Sequence, residues 1–514
     1  MEPILPTEIL QGILAFLPLS DLLNASLVCT TWNSAAELLI VRKCRLKVVN
    51  EMSDHLRLIR ERCRNYRTVR ICCRDEWSPM RLIVGELAKK IQPNELVLQF
   101  IIENHLFQFY QTFSEWFKHL VSIQICVHDN FSEYYSNTNE CFEMCFPMVR
   151  FLQWDENKYF SRNKTICLNV PNVESIYFRN SFDETSELKI FKCNHVKRLI
   201  GYLNTKDLSQ ILSVETLSNL EHITLDCGFR QVDFGFLGRI PNLKSLVLVV
   251  EKKCLRTLDS IQNLASLEKL HINSQFYSLG DNGVADFTKL EKTLESLKQI
   301  ELTGFDILIP DTINCPRLKN LKLDNVEIKN KTNNLTIFAP KLNVLSLSIS
   351  ILSRIGILNN NLLGTLTTNV EDTEQWKTRK QDLYQFLKAH NSIRALSLQT
   401  TLMKSIIQEF RPLDEALMQI EKLQLRDMTV ELDTFEAISK WKSLKHLLLE
   451  DCTIQVSGSE TMIILPFVKR MDISQYRSKV APLTKVPIQL VNEKVREKLS
   501  PSAAFLMTTH ISES

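Results

Sequence analysis

Beyond residue 60 the chain keeps returning to one arrangement of apolar and polar positions, apolar-x-x-apolar-x-apolar. The clearest copies are Val173/Ile176/Phe178, Leu220/Ile223/Leu225, Leu243/Leu246/Leu248 and Leu267/Leu270/Ile272. They continue through Leu297/Ile300/Leu302, Leu318/Leu321/Leu323, Leu342/Leu345/Leu347, Ile393/Leu396/Leu398, Ile420/Leu423/Leu425 and Leu444/Leu447/Leu449. Weaker copies start at Tyr66, Pro93, Leu120, Val149, Val196, Leu363 and Val468. About 24 residues is the commonest interval between starts, which is a repeat period and not the spacing of independent domains. The last two apolar positions of a copy are two residues apart. On a strand they point to one side, and the residue between them points to the other. Stacking such units predicts a long parallel sheet, each strand covered by the return segment of its own repeat. Those return segments read as helical or irregular, with helix-like spacing over 207–218 and 382–390.

The first fifty residues follow a different period. Ile9, Leu10, Ile13, Leu14 and Leu17 recur at helical spacing, with Pro6 and Glu8 suited to the first turn and Pro18 stopping the helix. Ser20 and Asp21 suit the start of a second helix carrying Leu22, Leu23, Ser26, Leu27 and Val28. A third, from Thr31, places Trp32, Ala35, Ala36, Leu39 and Ile40 on one face. Three helices of this length are too small to bury that much apolar surface alone. The surplus faces either the rest of the chain, as a capping bundle, or another protein.

The ordered string Leu5-Pro6-x-Glu8-Ile9-Leu10, Ile13, Leu17-Pro18-Leu19, Asp21-Leu22, Ser26-Leu27-Val28-Cys29 and Trp32 resembles an F-box. The resemblance implies a module of three helices that docks on the Skp-type adaptor of a cullin ubiquitin ligase. It implies that Leu5, Pro6, Ile9, Leu10, Leu17, Leu22, Val28, Cys29 and Trp32 line or support that interface.

The body resembles leucine-rich repeats, which implies an α/β solenoid: an irregular horseshoe with its parallel sheet on the concave face. The expected division is an F-box over 1–48, the solenoid over 49–480, and a C-terminal cap and flexible tail over 481–514. One departure concerns the Asn or Cys that the family places three residues after the last strand leucine. Cys452 fits, whereas Phe305, Val326 and Met428 hold the same slot and cannot bond the turn in that way. The residues between the strand leucines form a column: Arg70, Val97, Gln124, Gln153, Tyr177, Ile200, Thr224, Val247, His271, Glu301, Lys322 and Ser346. Tyr177, Ile200, Tyr202, Val247 and Val249 are apolar on the side that meets water, which marks them as candidate substrate contacts. The competing reading is that the tail or a long loop folds over them.

Composition narrows the chemistry. Only 12 of 514 residues are glycine, and GxGxxG, GxxxxGK[ST] and GxSxG are all missing, which counts against nucleotide-dependent enzymes and hydrolases. The 62 basic and 59 acidic residues nearly cancel, so no nucleic-acid partner is called for. A local basic run, Arg42, Lys43, Arg45, Lys47, Arg57, Arg60, Arg62, Arg64, Arg67, Arg70 and Arg74, reads as a solvated helix face, or as a contact for an acidic partner. Fourteen cysteines without a CxxC pair read as reduced, mostly buried thiols, and ten dispersed histidines show no metal-binding spacing. No cofactor is expected. Glu2 and Glu8 stand where a secretory signal needs positive charge, and no apolar run reaches the length of a membrane helix. The expectation is a non-catalytic intracellular protein, cytoplasmic or nuclear: the substrate receptor of an SCF-type ligase. The alternatives are a repeat-based scaffold or inhibitor, or an F-box protein acting without ubiquitination.

Overall fold

The computed structural model describes residues 6–43, 45–49, 66–73, 77–101, 103–128, 141–157, 165–180, 187–191, 193, 195–202, 214–227, 234–251, 255, 261–274, 284–370, 373–400, 417, 419–455, 463–474 and 488–489. The chain divides into two compact units, Met1–Val249 and Val250–Ser514.

The first unit opens with three helices, α1 (Thr7–Leu14), α2 (Leu19–Ala25) and α3 (Thr30–Lys43). A proline stands immediately before each of the first two, where its missing N–H costs nothing, and Glu8 and Asp21 lie in their positive first turns. Leu10, Leu14, Leu22, Ala25, Ala35, Ala36 and Ile40 form a small core, with Leu17, Trp32 and Leu39 packed against it. Ala35 and Ala36 have no bulk beyond Cβ, so α3 can approach both partners closely.

Nine parallel strands follow in chain order: Arg45–Val49, Thr68–Cys73, Glu95–Phe100, Ser122–His128, Phe151–Asn157, Ser175–Asn180, Arg198–Tyr202, His222–Asp226 and Ser245–Val249. The sheet therefore begins before the first repeat that the leucine spacing reveals. The early strands are covered by helices Trp77–Ala88 and Glu103–Thr112, and Trp77 meets Phe109 and the following Phe113 edge-on. Later strands are covered by a second, smaller parallel sheet of Cys141–Cys145, Thr165–Asn169 and Glu187–Phe191. Pro171-Asn172 and Pro241-Asn242, which precede strands, tie successive repeats together. The Asn172 and Asn242 amides donate to the carbonyls of Pro147 and Ser218, at 2.7 and 3.1 Å.

The second unit repeats the design with strands Lys269–Asn273, Gln299–Thr303, Asn320–Asp324, Val344–Ser348, Thr365–Val370, Ala395–Thr400, Lys422–Arg426, His446–Glu450 and Arg470–Ser474. Its return segments depart from the helical or irregular expectation. Short strands such as Asp306–Leu308, Glu327–Lys329, Leu335–Phe338 and Ile355–Leu358 pair into further parallel sheets. The expected helix near 382–390 is present and longer, Thr373–Ala389, whereas of the one expected over 207–218 the described part, Val214–Ser218, is helical and 207–213 lies outside the described residues.

The missing turn residues are explained by their neighbours. Gly304, Asn325, Asp427 and Asp451, one position earlier, take φ values of 85°, 51°, 55° and 52°. These left-handed residues bend the chain from main strand to return strand, a conformation that Gly, Asn and Asp tolerate best. The Gly304 N–H still donates to Asp324, and the Asp427 N–H to Glu450, each at 3.0 Å, so the ladder continues through the bend. Phe305, Val326 and Met428 are then free to bury in the core, while the Cys452 thiol donates to the Leu425 carbonyl at 3.2 Å.

Two substitutions test this reading. A Cβ on Gly304 would stand 2.5 Å from the Ser274 carbonyl oxygen at a positive φ, so Gly304→Ala should cost about 1–3 kcal/mol in chemical unfolding. Thr368 fills a leucine slot beside Leu347 and Leu398, fully buried, with its hydroxyl unpaired. Thr368→Val should therefore raise the unfolding midpoint, by about 1 kcal/mol in stability.

Candidate functional site

The helical head carries two parallel apolar rows. At about 100° per residue, Leu10 and Leu14 form one row of α1 and Ile9 and Ile13 the next, and Leu17 and Phe16, in the turn after the helix, extend the two rows. The first row supplies the head's core. The second faces water: Ile9 is 53% exposed, Ile13 51% and Phe16 92%. Leu23, Leu27 and Val28 add further exposed apolar area.

The position of Leu27 and Val28 differs from the helical expectation. Helix α2 ends at Ala25, and the two residues sit in the turn before α3. Ser26 causes the stop: its hydroxyl donates to the Leu23 carbonyl at 2.7 Å, and the Leu27 and Val28 N–H groups take tightened bonds to Asn24 and Ala25. Of the expected adaptor contacts, Pro6, Ile9, Val28 and Cys29 are exposed. Leu10 and Leu22 are buried in the head's core, where they can act only as supports, and Leu17 and Trp32 are half-buried against it. Leu5 lies outside the described residues. Ile13 and Phe16 join the exposed row without belonging to the expected set. Their signal in the sequence is the width of the apolar arc on α1, broader than one core can cover.

The open side of the sheet is the second candidate. Strand register lines up Arg70, Val97, Gln124, Gln153, Tyr177, Ile200, Thr224 and Val247 in one unit, and His271, Glu301, Lys322 and Ser346 in the other. Tyr177 and Ile200 are direct register partners, half-buried and 40% exposed respectively. Val247 and Val249, both half-buried, lie two strands further on, separated from Ile200 by the strand that carries Thr224. Tyr202 pairs in register with Arg179, and its side chain lies outside the described residues. Arg45 and Lys47, from the basic run, stand on a strand and not on a helix, while Arg57, Arg60, Arg62, Arg64 and Arg74 lie outside the described residues.

Charge is distributed differently along the two sheets. In the second unit the polar side chains of the open side bond one another. Asn369 donates to Asp324 at 3.3 Å, Gln424 to Glu450 at 2.8 Å, and Asp472 meets both His446 and Arg470, at 2.7 and 2.9 Å. Those two contacts hold the Asp472 carboxyl below the usual carboxylate range. In the first unit Arg70 donates to Gln99 at 2.9 Å, but no hydrogen bond or ion pair joins Arg179 or Arg198 to another described side chain. Burial pushes the Cys315 thiol up to about 12 and the Cys452 thiol up to about 11, which suppresses the thiolate at both. Among the described residues no group of His, Cys, Asp or Glu is placed to hold a metal, and no helix is long and apolar enough to cross a membrane.

Comparison with known proteins adds the following. The family model described as F-box-like matches residues 3–45. No curated protein matches the sequence. Among solved structures, an internalin (inlF) from Listeria monocytogenes is 15% identical with a TM-score of 0.30, over 64% of this chain and 82% of that one. The plant peptide hormone receptor RGFR1, solved in complex with RGF2, is 14% identical with a TM-score of 0.28, over 79% and 66%. TLR13, solved in complex with ssRNA13, is 12% identical with a TM-score of 0.25, over 84% and 80%. The chain joins an F-box-like N-terminal segment to a body of stacked units with the strand register and buried rows of leucine-rich repeats.

Proposed function

We propose that the chain is the substrate-recognition subunit of an SCF-type ubiquitin ligase. The observation that carries this reading is the second apolar row of the head, Ile9, Ile13 and Phe16, left bare beside a core that the first row already fills. Fully burying each such side chain is worth about 1.5–3 kcal/mol, so a partner that covers the row gains a substantial hydrophobic term. The F-box-like match over the same residues supports a Skp-type adaptor as that partner and, through it, a cullin scaffold. The open side of the sheet, with Tyr177, Ile200, Tyr202, Val247 and Val249, is the surface for the protein to be ubiquitinated. The chain itself performs no chemistry. It holds a substrate near a ubiquitin-conjugating enzyme, and the rate gain comes from proximity.

Affinity capture of a Skp-type adaptor by the full chain tests the assignment. The double variant Ile9→Asp/Phe16→Asp should weaken capture by about thirtyfold or more, the scale of at least one hot-spot side chain lost, with an unchanged melting curve. Leu14→Ala, in the core row, should instead cost about 2–5 kcal/mol of head stability. Undiminished capture by the double variant overturns the assignment of the outer row. A partner whose lifetime stays constant when the chain is depleted favours an F-box protein acting without ubiquitination.

A further inference from the structure

We propose that the open side of the strands Ser175–Asn180 and Arg198–Tyr202 binds an extended acidic peptide that carries one apolar residue midway between two carboxylates. This deepens, and rests on, the reading of that face as the substrate surface.

Three observations carry it. Tyr177 and Ile200 stand opposite each other in register and form an apolar step flanked in the same column by Gln153 on one side and Thr224 on the other. Period-two alternation puts Arg179 on the same side as Tyr177, and Arg198 on the same side as Ile200, displaced towards opposite ends of the two strands. Both arginines are exposed, and among the described residues no carboxylate bonds either one. Asp155 lies across from Arg179 in register without forming an ion pair with it, and Arg198 lies across from His222 and Ser175. Burial and the nearby Arg198 charge both lower the His222 pKa, so His222 adds no competing positive charge at neutral pH.

The geometry selects the ligand. Arg198 aligns with Ser175, four residues before Arg179, so the two arginine Cα atoms are about 14 Å apart, from a rise of about 3.3 Å per residue and a strand spacing of about 4.8 Å. An extended peptide places residues i and i+4 about 13 Å apart. Two acidic side chains at that spacing reach both guanidiniums while residue i+2 lies over Tyr177 and Ile200. A uniform polyanion fits less well, because the apolar step interrupts the positive charge and because Asp155 and Asp226 share the face. In the second unit His271 meets Glu301, Arg426 meets Glu450, and His446 and Arg470 both meet Asp472, so much of the open-side charge there is paired across strands.

The test uses the full chain and a dye-labelled nonapeptide of Gly and Ser with Asp at two positions four apart and Leu between them, read by fluorescence anisotropy. Arg179→Gln and Arg198→Gln should each weaken binding about fivefold, the scale of one exposed ion pair. Replacing both Asp by Asn in the peptide should match the loss in the doubly substituted chain, and added salt should weaken only the acidic peptide. Arg179→Glu/Arg198→Glu should lose the acidic peptide and gain its Lys counterpart. Equal binding of the Asp and Asn peptides, or no change on either Arg→Gln substitution, overturns the proposal. Adaptor capture is measured on the same preparations. Intact capture with failed peptide binding sinks this inference alone, and lost capture with intact peptide binding sinks the ligase reading alone.

Discussion

In a parallel ladder a slip of one residue exchanges the two sides of a strand, so register decides which residues are core and which are surface. Within each unit the main strands keep a single register. Ile176, Leu199, Ile223 and Leu246 align as one buried row, and Phe178, Gly201, Leu225 and Leu248 as the next. Size is constrained as well as polarity. Gly201 stands where its neighbours have Leu or Phe, and a Cβ there would lie 2.9 Å from the Phe178 carbonyl oxygen. The small residue accommodates the large one and keeps the backbones close where Tyr177 and Ile200 meet. The column between the buried rows then follows without further instruction from the sequence.

The bends after the strands are the second constraint, because they set which way the return segment leaves the sheet. A left-handed residue at Gly304, Asn325, Asp427 or Asp451 turns the chain within two residues, and the next strand starts at once. Such a tight bend starts the return with a short strand, and a helix can follow it, as Leu432–Ile438 does after Thr429–Glu431. Elsewhere the chain leaves by longer paths, and helices such as Thr373–Ala389 fit.

Much of this is legible in the sequence, and the failures have physical causes. The leucine slots and the face column can be read because alternation is strict and repeated. Phe305, Val326 and Met428 look like defects as long as the turn is credited to their position and not to the Gly, Asn or Asp before it. Return strands of three residues, such as Asp306–Leu308, are too short to show a period. Leu27 and Val28 continue an apolar helix pattern, and only the Ser26 hydroxyl bond reveals that the helix has ended. The apolar residues of α1 and of the turn after it read as one face, which hides Phe16. Which polar side chains pair across strands depends on rotamers, and that information is not in the spacing. Hence the difference between the linked polar face of the second unit and the unlinked arginines of the first emerges only from the structure.

The two candidate surfaces differ in the force that would work at each. Residues 1–41 contain no Lys or Arg and four acids, Glu2, Glu8, Asp21 and Glu37, so the exposed row of the head offers hydrophobic area without positive charge. A contact made there is held by excluded water and responds weakly to salt. The face around Tyr177 is the converse: a modest apolar step between two guanidiniums that no described carboxylate bonds, where attraction is long-ranged and screened over about 8–10 Å at ordinary ionic strength. Long-range attraction speeds encounter more than it lengthens residence. A durable grip at the head and a quick, salt-sensitive one on the repeat face are what the proposed receptor would need to stay with its adaptor while cargo exchanges.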